Sequence, residues 1–108
     1  MSNIDFSQAV TAEGKATEAA AQRRKLARDT CRRRIIEMVS ETKQMNITAA
    51  ASAGMLSGGQ HAGHAAMTGW IGSMRAAWGP LADTQVDLSD DSNWPDAPAT
   101  LIAFVSEF

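Results

Sequence analysis

The chain has 108 residues, a formal net charge of −2 and a single cysteine. This length fits one compact domain and excludes a second full one. A single cysteine excludes an internal disulfide, so we expect Cys31 to be a small, half-buried apolar side chain. Leu, Ile, Val and Phe together number 18 whereas Ala alone numbers 20, and this composition favours helices around a thin core.

The sequence lacks the residues that several functional classes need. The two histidines, His61 and His64, lie three apart with no carboxylate or thiolate nearby in the sequence, so we predict no metal site. Neither a phosphate-binding glycine loop nor a nucleophile with a base is apparent, so we expect no cofactor and no enzymatic activity. No apolar run approaches the roughly 18 residues that span a bilayer, and the first ten residues lack the blocks of a signal peptide. We therefore expect no membrane association, and a location in the cytoplasm or in a particle assembled there.

The N-terminal segment predicts a short arm followed by a long helix. Ile4, Phe6 and Val10 nearly alternate with polar residues, which is typical of an extended arm over residues 1–11. Residues from about 12 to 53 contain no proline and only Gly14, so they are predicted to form one helix. Its apolar positions recur in steps of mostly three and four, which predicts a coiled-coil-like seam of Cys31, Ile35, Met38, Thr42, Met45, Ala49, Ser52 and Leu56.

A second helix is predicted over about 58–78. Gly54 is suited to end the first helix, and Ser57 with Gln60 has the spacing of a capping box. The short connection predicts an antiparallel helical hairpin, and Gly79-Pro80 is expected to stop the second helix. The glycines Gly63, Gly69 and Gly72 are expected to allow close approach of a neighbouring helix. Near the turn, Gly59, Ala62, Gly63 and Ala66 are expected to face Ala49, Ala50 and Ala53. The predicted seam residues are Met67, Trp70, Ile71, Met74, Trp78 and Leu81.

The C-terminal part combines an acidic segment with a short apolar helix. Pro95 and Pro98 precede a predicted helix over about 99–107, which needs an apolar surface to cover. Trp94 can hold its loop onto the core or can face a partner protein, and both interpretations stay open. The apolar residues of the final helix are Leu101, Ile102, Phe104, Val105 and Phe108, and the acidic residues before it are Asp83, Asp87, Asp90 and Asp91.

The two long predicted helices differ in length. About 42 helical residues span roughly 63 Å, whereas about 22 residues span roughly 33 Å. The unmatched part of the first helix, about residues 12–30, must be covered by the C-terminal segment, by another copy of the chain or by a different protein. This mismatch predicts an interaction role and a homo-oligomer.

Seven of the ten basic residues fall within twelve positions, and we call them the basic cluster: Arg23, Arg24, Lys25, Arg28, Arg32, Arg33 and Arg34. The hairpin register predicts that Trp78 lies beside Arg33 or Arg34, which brings the acidic segment next to this cluster. Three interpretations follow: charge pairing within or between chains, a solvated helix face, or binding of nucleic acid or an acidic membrane. The cations point around the whole helix and no aromatic residues lie between them, which favours charge pairing and disfavours nucleic acid.

The order of four segments resembles a known group of proteins. The segments are IDFSQAVTAEGKA, RRRIIEMVSETKQMNITAAASAGMLS, a helix ending in W-I-x-x-M-R, and the loop SNWPDAP. They resemble small proteins encoded beside tail-fibre or tail-tip genes in tailed bacteriophages and prophages of alphaproteobacteria. The resemblance implies a structural subunit of the distal tail or fibre attachment region, present in the virion and bound to other tail proteins.

Two alternatives to that role remain. One is a nucleic-acid-binding accessory that uses the helix from Arg23 to Arg34, and the other is a tail-fibre assembly chaperone absent from the virion. An extended arm could add a strand to an exposed sheet edge of a partner. The predicted partner-binding residues are Ile4, Phe6, Val10, Arg24, Arg28, Arg32, Trp94, Phe104 and Phe108.

Overall fold

A computed structural model describes the backbone of residues 2–108 and the side chains of residues 13–108. This part of the chain contains helices and no strand, which confirms the predicted all-α class. The molecule is elongated, with extents of 73, 27 and 16 Å. The first and third helices form the main packing contact, and the third also packs against the fourth. The helices are α1 (Ser2–Met38), α2 (Glu41–Ser52), α3 (Gly58–Thr84) and α4 (Ala99–Val105), with one 3₁₀ turn at Asp91–Asn93.

The backbone of residues 2–11 belongs to α1, so the predicted extended arm is wrong. An extended segment without a neighbouring strand leaves its backbone groups unpaired, whereas a helix pairs them locally. The segment has no proline, and it continues directly into the alanine-rich helix, so no new helix has to be nucleated. Ile4, Phe6 and Val10 have side chains outside the described residues.

The helix predicted over 12–53 is divided at Val39 and Ser40. Ser40 leaves the helical conformation, with φ −56° and ψ 156°, and its hydroxyl accepts a hydrogen bond from the Lys43 amide at 3.2 Å. Glu41 follows in the first turn, where a carboxylate favours a helix N-terminus. The Gln44 side chain donates to the Val39 carbonyl at 2.8 Å, which satisfies a backbone group that the break exposes. Ser40 therefore ends one helix and caps the next.

This break changes which residues of α2 face the core. Ile35 and Leu56 are buried as the predicted seam requires, but Met45 is 72% exposed and the predicted seam is wrong there. Val39 and Ile47 are fully buried instead. The predicted seam assumed one continuous helix, in which residues three or four apart share a face. The non-helical conformation of Ser40 changes the direction of the faces that follow, so this spacing does not carry across the break.

The third helix begins as predicted and ends later. Both hydrogen bonds of the capping box between Ser57 and Gln60 are present, and Gly54 has a φ of +69° after the end of α2. The helix continues through Pro80 to Thr84 and ends at Gln85, which has a φ of 56°. Proline removes one helical hydrogen bond, but the buried Ala82 packs the extra turn onto the core and offsets that loss.

The fourth helix is shorter than predicted and approaches α3 closely at Gly63. A Cβ atom at Gly63 would overlap the Phe104 side chain, whereas one at Gly69 or Gly72 would meet open space. The expected close approach therefore occurs at one glycine of the three, and its partner is α4 rather than the alanines of α2. The core that these contacts enclose consists of Cys31, Ile35, Val39, Ile47, Leu56, Met67, Trp70, Ile71, Met74, Trp94, Leu101, Phe104 and Val105.

We predict that Gly63→Ala destabilises the fold by about 1–3 kcal/mol, because the new methyl group must displace the Phe104 ring from a packed position. Gly69→Ala is the matched control, since Gly69 is exposed on the same helix. There the substitution should stabilise by about 0.5–1 kcal/mol through helix propensity. Urea unfolding followed by circular dichroism measures both changes. Equal effects at the two sites would contradict the contact between α3 and α4.

Candidate protein-interaction surface

Arg34 connects α1 to the acidic segment. Its guanidinium pairs with the Asp91 carboxylate at 2.7 Å and donates to the carbonyl oxygens of Leu88 and Ser89 at 3.3 and 3.2 Å. It also lies 5.4 Å from the centre of a Trp94 ring, within the range of a cation–π interaction. The Arg34 side chain is only 17% exposed, whereas the Asp91 side chain is 92% exposed, so water screens the ion pair from the Asp91 side.

Trp94 holds its loop onto the core, as one of the two sequence interpretations predicted. Its indole is buried and donates a hydrogen bond to the Leu88 carbonyl at 2.9 Å. The indole of Trp70 on α3 donates to the Pro95 carbonyl at 3.1 Å, which fixes the next turn of the same loop. The two tryptophans therefore place segment 85–98 against α1 and α3, and Trp94 is not available as a partner-facing side chain.

The loop also contains a locally stabilised carboxylate. Asp87 accepts hydrogen bonds from the Ser89 hydroxyl at 2.6 Å and the Ser89 amide at 2.9 Å. These bonds favour the ionised form and lower the pKa of the Asp87 carboxyl from its usual value. Asp90 makes the same pair of contacts with Ser92, at 2.8 and 3.0 Å. Each carboxylate thus fixes a tight turn in the chain between α3 and α4.

Arg24 forms a second link between the basic and acidic parts. It pairs with Asp83 near the end of α3 at 3.0 Å and lies 5.3 Å from the centre of a Trp78 ring. The predicted neighbour of Trp78 was Arg33 or Arg34, so the observed register differs by about three helical turns. The prediction assumed that α1 continued straight to the turn at Gly54. The break at Ser40 removes that continuity, and α3 packs farther along α1 as a result.

Four cations of the basic cluster thus form ion pairs within the described chain, as the charge-pairing interpretation predicted. Arg24 and Arg34 pair with the acidic segment, whereas Arg32 pairs with Glu41 at 3.1 Å and Arg33 with Glu37 at 3.0 Å. Arg28 forms no ion pair with any residue whose side chain the structure describes. The cluster is therefore partly neutralised and keeps an excess of positive charge.

A cleft of about 420 Å³ opens beside the uncompensated part of the cluster, and we call it the arginine cleft. Buried Cys31 and Ile35 and half-buried Trp78 provide an apolar surface, and arginines provide its charge. Such a combination suits a partner that offers apolar atoms together with a carboxylate. The lining residues are Arg28, Cys31, Arg32, Ile35, Ile36, Glu41, Gln44, Arg75 and Trp78.

Opposing effects act on the Cys31 thiol in this cleft. Burial raises the pKa of the thiol from its usual value, and the positive charge of Arg75 lowers it by a smaller amount. The protonated form therefore dominates at neutral pH, which makes the thiol a weak nucleophile. The half-buried role expected for Cys31 is corrected to full burial, because the residue is only 3% exposed.

The N-terminal part of α1 extends beyond the packed body. All side chains from Glu13 to Gln22 are exposed except that of Ala20, which is half-buried. The first fully buried position of the described α1 side chains is Ala27, and the first ion pair to another helix is at Arg24. We call residues 2–22 of α1 the α1 extension, and its described side chains, those of residues 13–22, lie outside the packed body.

The structure separates the predicted partner-binding residues into different environments. Phe104 is buried against Gly63, and half-buried Phe108 lies 5.0 Å from it between ring centres, so both rings are used within the chain. Arg24 and Arg32 are exposed but paired, and only Arg28 combines exposure with an uncompensated charge. Arg75 was missed by the sequence analysis, although its spacing of three from Trp78 places both on one side of α3.

The described residues include no group of three or more potential metal ligands, and no helix there has an apolar stretch sufficient to cross a bilayer. Comparison with protein families, with curated proteins and with solved structures finds nothing that matches this chain.

We predict that Arg34→Ala destabilises the fold by about 2 kcal/mol, because it removes three charge-assisted hydrogen bonds made by a largely buried guanidinium. Arg33→Ala is the neighbouring control and should cost less than about 0.5 kcal/mol, since its exposed pair lies within one helix. Urea unfolding gives the stabilities, and tryptophan fluorescence reports release of the loop. Similar losses for the two variants would contradict the role assigned to Arg34.

Alkylation of Cys31 by iodoacetamide in dilute solution at pH 8 should be slower in the folded chain than in urea. The reason is that burial limits access and raises the thiol pKa. Arg75→Ala should slow the reaction further, because its charge favours the thiolate. The alkylation rate should rise with pH in both proteins, and the rise should occur at higher pH in the variant. A faster reaction in the variant would show that Arg75 acts chiefly as a steric cover.

Proposed function

We propose that this chain is a non-catalytic structural subunit of a bacteriophage tail, located in the distal tail or fibre attachment region of the virion and assembled in the host cytoplasm. The observation that supports this proposal best is the α1 extension, whose side chains from residue 13 to residue 22 are exposed except for half-buried Ala20. An isolated helix gains little stability from its own hydrogen bonds, so packing against a partner is the usual reason to retain one.

The packed body provides the second support. In our proposal α1 and α3 form an antiparallel helical hairpin, with α4 and the acidic segment fixed across it. Arg34 and the two buried tryptophans tie that segment down, which makes the body a rigid base for the extension. The sequence resemblance to proteins encoded beside tail-fibre and tail-tip genes supplies the biological setting. Several copies per tail would accord with the need to cover the extension.

Mass spectrometry of purified phage particles tests the proposal. We expect the chain in stoichiometric amounts with the other tail proteins. A variant that lacks residues 2–12 should keep a folded body, measured by circular dichroism, but should be lost from particles. Met55→Ala, which trims an exposed side chain in the turn before α3, is the control and should be incorporated normally. Normal incorporation of the deletion variant would refute a docking role for the extension.

Two rival functions give different outcomes. A tail-fibre chaperone would bind fibre protein in cell extracts and would be absent from finished particles. A nucleic-acid-binding accessory would bind DNA with an affinity that falls steeply as salt rises, and charge reversal at Arg24, Arg28 and Arg32 would abolish that binding. We expect negligible DNA binding at physiological salt, because Arg24 and Arg32 already have acidic partners.

A further inference from the structure

The arginine cleft contains positive charge that the described chain does not neutralise. Arg32 has Glu41 as a partner, but neither Arg28 nor Arg75 forms an ion pair with a residue in the part described with side chains. The cleft has an apolar lining beside these charges. An occupant should therefore carry carboxylates next to small or apolar side chains.

The α1 extension has the matching composition. Residues 2–22 contain Asp5, Glu13 and Glu18 against one cation, Lys15, which gives 1 − 3 = −2. The following residues 23–34 contain seven cations and Asp29, which gives 7 − 1 = +6. One helix thus has an acidic half followed by a basic half. Two copies placed antiparallel bring unlike charges together at both ends, whereas a parallel pair would bring like charges together.

A specific antiparallel register places opposite charges together at the cleft. In this register two α1 helices cross near Arg23 of each copy. Glu18 of one copy then lies opposite Arg28 of the other, and Arg28 lines the cleft. This contact occurs twice, because the two copies are equivalent.

The extension also offers small side chains around Glu18. Small side chains permit the two helices to approach closely, and the exposed alanines there are Ala16, Ala19 and Ala21.

We infer that the α1 extension of one copy occupies the arginine cleft of a second copy, and reciprocally, in an antiparallel two-fold dimer. This inference rests on the proposed function, because it names the first partner of the extension. A two-fold arrangement repeats each contact twice, so modest ion pairs act in duplicate. Nucleic acid would neutralise the same arginines, but it would leave the apolar surface around Cys31 and Ile35 uncovered.

Paired charge reversals test the dimer. The cleft variant carries Arg28→Glu, and the extension variant carries Glu18→Lys. Both side chains are exposed and outside the ion pairs that join the helices, so both variants should fold. Sedimentation velocity at about 50 µM protein and about 50 mM salt should show a wild-type dimer with minimal screening. Each variant alone should dimerise about tenfold or more weakly, because each contact becomes repulsive.

Mixing the two variants gives the decisive result. Each contact in the mixed dimer again joins opposite charges, so a one-to-one mixture should recover dimer that neither variant forms alone. Asp96→Lys is the control, because it reverses an exposed charge outside the cleft and should dimerise as the wild type does. A monomeric wild type, variants that dimerise normally, or a mixture without recovery would each overturn the inference.

Cys31 gives an independent readout in the unmodified protein. Because the thiol lines the cleft, its alkylation should slow as concentration rises through the dimerisation range, and a rate independent of concentration would overturn the inference.

Particle incorporation separates this result from the proposed function. A monomeric chain found in particles removes the dimer and leaves the function standing. A dimer that is absent from particles removes the proposed function and leaves the dimer. A monomeric wild type that binds DNA through Arg28 and Arg75 would instead support the nucleic-acid alternative.

Discussion

The guanidinium of Arg34, nearly enclosed between α1 and the segment that follows α3, organises the C-terminal third of the molecule. A charge removed from water must be paired, and here Asp91 together with two loop carbonyls provides the compensation. The same carbonyl of Leu88 accepts the Trp94 indole, so the ionic and apolar contacts fix one loop conformation. That loop delivers α4 to the surface of α3, where Phe104 packs against Gly63.

The small core explains why such polar contacts matter. Bulky aliphatic and aromatic residues are few in this chain, and they are concentrated between α3, α4 and the second half of α1. A core of this size supports a body but cannot also cover a helix of 37 residues. The α1 side chains from residue 13 to residue 22 are left largely exposed for this reason. The small amount of apolar surface in the chain is enough to explain this exposure, so the segment itself need not be unstable as a helix.

The distribution of charge along α1 links this geometry to assembly. Intramolecular ion pairs neutralise Arg24, Arg32 and Arg34, while Arg28 and Arg75 at the arginine cleft form no ion pair with a residue whose side chain is described. Positive charge therefore remains at the cleft, and the acidic extension precedes it along the same helix. A chain with separated charges of opposite sign favours association with a partner over closure on itself, because a straight helix holds its two halves apart.

The sequence by itself determined the all-α class, the capping box at Ser57, the glycine at position 54 that follows α2 and the interaction of the basic cluster with the acidic segment. These features depend on residues close in sequence or on the count of opposite charges. The tertiary structure decided the break at Ser40 and the continuation of α3 past Pro80. It also decided which side chains line the arginine cleft. These outcomes depend on which residues reach the core, such as Ile47 and Ala82, and residue spacing along one continuous helix does not fix that.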